Sequence, residues 1–260
     1  GLVRLSREGV ERLGAADGLA HSFVRSFAED REGSVWIGTN GGLNRLRDRK
    51  VVVVGEREGI PDANIRSIAR TTDGRLWVGT DSNGIAVQHG GRFVVPPEAA
   101  PLRGVAVRSL VAGPSGELWI GTNGSGLLRL AGGRLTRLTR KDGLPSDIVY
   151  AVAIDPKGNV WAGTYGAGVA RWDGRRFTVL DRSRGLPRDV VRCIRATRDG
   201  STWFGTDAGG VAHRQGKGSI CHRLDVQRPA FHGKRGLLHH LGQRRMRMAG
   251  AGDIFSRCTE

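Results

Sequence analysis

Between residues 143 and 184 the chain alternates four short apolar runs with clusters of turn-forming residues. Residues 148–154 are a β-branched run of the kind that suits a strand buried on both faces. Asp155-Pro156-Lys157-Gly158-Asn159 interrupts it with strong turn chemistry. Residues 160–164 predict a second strand, Gly166-Ala167-Gly168 turns the chain, and residues 169–172 predict a third. Asp173-Gly174-Arg175 is a hairpin turn ahead of a fourth strand over residues 177–180. Gly143-Leu144-Pro145-Ser146-Asp147 leads into the unit as a turn-rich connector.

The unit recurs. Tryptophan stands at 36, 77, 119, 161 and 203, spaced by 41, 42, 42 and 42 residues, and always within one short phrase. The phrases run from Val35-Trp36-Ile37-Gly38-Thr39 to Thr202-Trp203-Phe204-Gly205-Thr206. The first strands align as Val24-Arg25-Ser26, Ile65-Arg66-Ser67, Val107-Arg108-Ser109, Val149-Tyr150-Ala151 and Val191-Arg192-Cys193. Connectors of Asp-Gly-Leu/Ile-Pro type precede four of them, and the third unit has the Pro-rich stretch 95–101 instead. Four short antiparallel strands in a repeat of about 42 residues are the blade of a β-propeller. The predicted fold is therefore all-β, with five clear blades, a leading half blade over 1–13 and a degenerate sixth. The half blade follows from the match of residues 1–13 to the third and fourth strands at 126–138. Each Trp is expected to fill the wedge between sheets, and the Gly after it to allow a close approach.

These residues resemble the two-component regulator propeller repeat of bacterial ligand-sensing receptors. Its pattern is Gly-Leu-Pro, then Val-x-x-Ile, then Asp-x-x-Gly-x-Leu-Trp-Ile-Gly-Thr-x-x-Gly-Gly-Leu. Residues 59–85 and 143–169 follow it almost letter for letter. The resemblance covers residues 1–212 and implies a non-catalytic, periplasmic sensor domain of a membrane receptor. It also implies a β-sandwich, a transmembrane helix and a histidine kinase or diguanylate cyclase beyond this chain. The expected partners are a small-molecule or oligosaccharide ligand, a second receptor copy and downstream sensor domains.

The pattern breaks after Ala212, so residues 213–260 are expected to be a damaged or decayed sixth repeat, or a tail. That stretch holds ten Lys/Arg against three Asp/Glu, and five of the seven histidines. If it forms first and second strands, residues 1–13 would pair with strands near 232–254 and close a six-bladed ring. The chain opens in mid-blade without an initiator methionine or signal peptide, as a piece of a longer protein would. No apolar run approaches the roughly 18 residues of a membrane span, which leaves membrane attachment to parts outside this chain.

Composition adds little chemistry. The formal charge is +16, but outside the tail it is spread as isolated arginines on strands, so nucleic acid is not an expected partner. Three cysteines give no disulfide framework, and Cys193 takes the small-residue position of Ser26, Ser67, Ser109 and Ala151. His222, His232, His239 and His240 lack regular zinc-ligand spacing. No nucleophile elbow, HExxH, P-loop or CxxC pair is present, so neither an enzyme nor a cofactor is expected. A lyase or hydrolase working at one mouth through His21, and a structural protein-interaction platform, are the alternatives.

Two sets of repeated positions are the candidate binding residues. Loops after the second strand carry Asn40, Asp81, Asn123, Tyr165 and Asp207, variable polar groups on a rigid frame. Such residues are also good turn formers. Inner strands carry Arg25, Arg66, Arg108, Tyr150 and Arg192, which around an axis would make a positive collar for carboxylates or sulfates. The other reading is that each Arg pairs with a neighbouring blade or reaches solvent. A real collar would suit an acidic oligosaccharide.

Overall fold

The computed structural model describes residues 1–6, 9–47, 50–216 and 220–223. It opens with an antiparallel hairpin of β1 (Leu2–Ser6) and β2 (Gly9–Leu13). Five four-stranded antiparallel sheets follow, each with its strands in chain order from one edge to the other. Blade 1 comprises β3 (Val24–Glu29), β4 (Val35–Thr39), β5 (Gly42–Arg47) and β6 (Lys50–Val54). Blade 2 comprises β7 (Ile65–Arg70), β8 (Leu76–Thr80), β9 (Ile85–His89) and β10 (Arg92–Val94). Blade 3 comprises β11 (Val107–Ala112), β12 (Leu118–Thr122), β13 (Leu127–Ala131) and β14 (Arg134–Leu138). Blade 4 comprises β15 (Val149–Ile154), β16 (Val160–Thr164), β17 (Val169–Trp172) and β18 (Phe177–Leu180). Blade 5 comprises β19 (Val191–Ala196), β20 (Ser201–Thr206), β21 (Gly210–Gln215) and β22 (Ile220–Arg223).

First strands lie innermost and pack in sequence, β3 on β7, β7 on β11, β11 on β15 and β15 on β19. The Trp-x-Gly-Thr phrase explains how. A Cβ on Gly38 would lie 2.7 Å from Ile65 Cγ2, and one on Gly79 would lie 2.6 Å from Val107 Cγ1. Gly121 and Gly163 would approach Val149 and Val191 to 3.0 and 2.9 Å. In each case the glycine faces the β-branched residue that heads the next blade's inner strand. No larger residue leaves room for that contact.

The tryptophans fill the space outside it. Trp36 shares a core with Ile65, Leu76 and Phe93 of blade 2, and Trp161 shares one with Val191 and Phe204 of blade 5. Turn residues satisfy the indole N–H in blades 1 and 4, where Trp36 Nε1 donates to Asp30 at 2.8 Å and Trp161 Nε1 to Asp155 at 3.1 Å, whereas Trp119 Nε1 of blade 3 is buried without an acceptor. Trp203 is only partly buried, with its ring 4.1 Å from that of His213.

The hairpin β1–β2 sits where the third and fourth strands of a preceding blade would. Leu2 and Leu13 pack with Leu19 and Val24, as Leu127 and Leu138 of blade 3 pack with Leu144 and Val149 of blade 4. One boundary differs from the sequence reading. Blade 5 continues past residue 212, with Trp203 opposite His213 and β22 completing the sheet at 220–223. Polar His213 and Arg214 on β21 conceal the alternation that would have marked this strand. The pairing of 1–13 with 232–254, and the sixth repeat beyond residue 223, lie outside the described residues.

The interblade contact makes Gly79→Ala costly. Its added methyl would meet Val107 and Ser67 Oγ, so we expect a loss of about 1–3 kcal/mol in denaturant unfolding. Ala208 predicts the opposite sign. It adopts φ 56°, a left-handed conformation, where the equivalent Gly124 and Gly166 carry no side chain. Ala208→Gly should therefore raise stability by about 0.5–1 kcal/mol in the same measurement.

Candidate functional site

The candidate side chains stand where they do because every inner strand carries a β-bulge at the same position. In blade 1, Val24 pairs with Thr39 and Ser26 with Gly38, which leaves Arg25 as the extra residue. The same shift isolates Arg66, Arg108, Tyr150 and Arg192 in blades 2 to 5. A bulge bends its strand and re-aims a side chain that the two-residue period would have sent to a sheet face. All five side chains line one opening of about 200 Å³ at the centre of the blades.

The loops after the second strands are held against the same end. The phrase's Thr hydroxyl closes each loop: Thr39 Oγ1 donates to Gly42 O at 2.8 Å, and Thr80 Oγ1 to Gly84 O at 3.0 Å. Thr122, Thr164 and Thr206 do the same in the later blades. The next residue's backbone N–H then donates to the carbonyl just before the inner strand. Asn40 bonds to Phe23, Asp81 to Asn64, Asn123 to Ala106, Tyr165 to Ile148 and Asp207 to Val190. The two predicted sets of residues thus meet at one mouth.

Their pairings differ from blade to blade. Arg25 Nε donates to Asn40 Oδ1 at 2.7 Å. Arg66 grips Asp81 bidentately, Nε to Oδ1 and Nη2 to Oδ2, both at 2.8 Å. Arg108 reaches back across the blade boundary to the same Asp81, at 2.9 Å. Arg192 Nη2 lies 3.0 Å from Asp207 Oδ2. Tyr150 meets Tyr165 edge-to-face with centroids 5.5 Å apart, and Arg192 lies over the Tyr150 ring at 4.6 Å. Asn123 is exposed in its loop, and its residue forms an isolated bridge with Ile148 of the next blade. The collar is therefore partly self-neutralised: Arg25, Arg66 and Arg192 pair within their own blades, and Arg108 pairs with a neighbouring one.

The compensation is incomplete. Four guanidinium groups face two carboxylates, Asp81 and Asp207, so within the collar and its direct partners positive charge is in excess by two. The hydrogen bonds from Arg66 hold the Asp81 carboxyl below its usual range, against the effect of its partial burial, and the charges of Arg108 and Arg25 add to this. Burial and the nearby charge of Arg66 pull the Arg25 pKa down, and Asp81 offsets them only in part. Phe23 is a mouth residue that sequence reasoning missed. It is 63% exposed, stacks on His21 at 5.6 Å and lies under the Arg25 guanidinium. The signal was present, since the other blades place Asn64, Ala106, Ile148 and Val190 there. Among the described residues no cluster of His, Cys, Asp or Glu is arranged to hold a metal, and no helix is long and apolar enough to cross a membrane.

Residues 18–41, 59–82 and 143–166 match the family model described as two component regulator propeller. No curated protein matches the chain. Among solved structures, it resembles the extracellular domain of the putative hybrid two component system BT3049 from B. thetaiotaomicron, with a TM-score of 0.68 at 23% identity. That match covers 76% of this chain and 27% of the other. The extracellular domain of BT4673 from the same organism matches with a TM-score of 0.62 at 25% identity, over 74% of this chain and 27% of that one. The chain thus spans about a quarter of the length of these ectodomains. Virginiamycin B lyase from Staphylococcus aureus shares the fold, with a TM-score of 0.67 at 16% identity, over 86% of this chain and 78% of the lyase. Three matched segments on a frame of four-stranded blades show that this chain carries two component regulator propeller repeats.

Proposed function

We propose that this chain is the ligand-binding propeller of a bacterial signalling receptor, placed outside the cytoplasm, and that its mouth binds an acidic oligosaccharide. The observation that carries the reading is the set of bulged inner-strand side chains, one from each blade, that line a single opening with positive charge in excess. A carboxylate or sulfate entering there would meet the Arg25, Arg66 and Arg108 guanidiniums as preformed donors. The faces of Tyr165 and Phe23, both at least half exposed, suit the apolar side of a sugar ring. The likeness to extracellular domains of two component systems supports the sensor role and the extracytoplasmic location.

Binding rather than turnover suits the groups present. The mouth offers guanidinium, amide and phenol groups with the imidazole of His21 stacked on Phe23, and arginines hold its Asp81 carboxylate ionised, which makes it a poor proton donor. The likeness to the lyase is one of fold alone.

Titration calorimetry with a uronate oligosaccharide tests the reading. Arg66→Ala/Arg108→Ala should weaken binding by roughly tenfold or more, since each charge-assisted hydrogen bond is worth about 1.5–3 kcal/mol. Asp81→Asn should act in the opposite direction, because it removes the carboxylate that competes for both arginines. Unchanged affinity in the arginine variant would refute the mouth as the binding site. Turnover of the saccharide that survives the arginine variant but not His21→Ala would replace sensing with catalysis.

A further inference from the structure

A second cleft lies at the other end of the blades, between blades 4 and 5. The turn 155–159 joins β15 to β16, so it sits opposite the loops that follow β16 and frame the mouth. The cleft has a volume of about 480 Å³, and Lys157, Arg171, Arg198 and Arg214 line it with Asp155 and Asp199. Both carboxylates are occupied by their own turns. Asp155 accepts from the backbone N–H groups of Lys157 and Asn159, from the Asn159 amide and from Trp161 Nε1. Asp199 accepts from the Thr197 hydroxyl, Ser201 N and the Ser201 hydroxyl.

The repeats supply an internal control. Arg45 of blade 1 and Arg171 of blade 4 occupy the same place, opposite the phrase's Trp and over its ring. In blade 1 the turn Asp30-Arg31-Glu32-Gly33-Ser34 neutralises that arginine. Arg45 Nη2 lies 3.1 Å from Glu32 Oε2, and Arg45 Nε donates to Ser34 Oγ at 3.1 Å. In blade 4 the same turn reads Asp155-Pro156-Lys157-Gly158-Asn159, with Lys157 where blade 1 has Glu32. Asn159 turns its amide to Asp155, and Arg171 Nε is left buried without a hydrogen-bond partner. Arg214 of the neighbouring blade lies over the same Trp161 ring at 5.4 Å. Burial, and then the charge of Arg171, pull its pKa down, with Asp155 opposing. The sequence has therefore placed a lysine where blade 1 has the glutamate that binds Arg45 and Arg47, and brought Arg214 of blade 5 to the same ring, while Asp173, whose carboxylate feels the Arg171 charge, stands where blade 1 has Arg47.

We infer that this cleft is an oxyanion-binding site, in which Lys157, Arg171, Arg198 and Arg214 hold a phosphate, sulfate or carboxylate group. The anion takes the place that the Glu32 carboxylate occupies in blade 1, and it gives Arg171 Nε an acceptor. The site is independent of the mouth and of the sensor reading. It shares no residue with either, and its volume admits a ligand larger than a single ion.

The test is an NMR titration of the 260-residue chain with inorganic phosphate at constant ionic strength. It follows the Trp161 indole N–H signal, assigned with Trp161→Phe. We expect a saturable shift in the unaltered protein. Lys157→Glu, which restores the arrangement of blade 1, should weaken binding at least tenfold, and the exposed-site variant Arg198→Gln should weaken it too. Arg66→Ala/Arg108→Ala should leave it unchanged, which separates this site from the mouth. Glucose 6-phosphate in parallel distinguishes sources: equal affinity assigns a free ion, and tighter binding assigns an anionic group on a larger ligand. A shift that never saturates, or the same affinity in Lys157→Glu and Arg198→Gln, would overturn the inference.

Discussion

The structure depends on a contact in which one partner has no side chain. Gly38, Gly79, Gly121 and Gly163 each receive the β-branched head of the following inner strand: Ile65, Val107, Val149 and Val191. This fixes how closely consecutive blades approach near the centre. The preceding Trp then fills the diverging space outside, and the following Thr closes the loop at the mouth. Each contact also sets the position of the candidate site. The residue seated on the glycine is followed at once by the bulge, so Ile65 anchors the blade and Arg66 turns to the opening. Scaffold and collar are adjacent residues of one strand.

Much of this was legible in the sequence because the repeat is strict. The Trp phrase, the turn clusters and the β-branched runs placed the strands of blade 4 to within a residue, since packing on both faces leaves little freedom in register. The positions of Arg25, Arg66, Arg108, Tyr150 and Arg192 were legible too, as a column in the alignment. The bulge was not, because a two-against-one pairing leaves no mark in hydropathy. Pairing with a neighbouring blade was one reading of these arginines, but that Arg108 is the one to cross, to Asp81, was not legible, because it depends on side-chain length across a gap that the repeat does not encode. The end of blade 5 was obscured by His213 and Arg214, which keep the strand's register but not its alternation.

The two ends of the molecule show how one frame carries different chemistry. At the mouth, the repeat supplies arginines and the variable loops supply partial neutralisation, so charge is tuned blade by blade through residues such as Asp81 and Asn40. At the opposite end, the turn before each Trp supplies the neutralising group in blade 1 and a cation in blade 4. In both places the strands hold the charge rigidly and the turns decide whether it is satisfied. That division suits recognition, because turn residues can change while the glycine contact and the buried Trp stay in place.

The most direct measurement is a crystal structure of the chain with a uronate tetrasaccharide bound. The account predicts a ligand carboxylate on the guanidinium groups of Arg25, Arg66 or Arg108, with a sugar ring against Tyr165 or Phe23. A saccharide ordered elsewhere on the protein, with the mouth unoccupied, would contradict it.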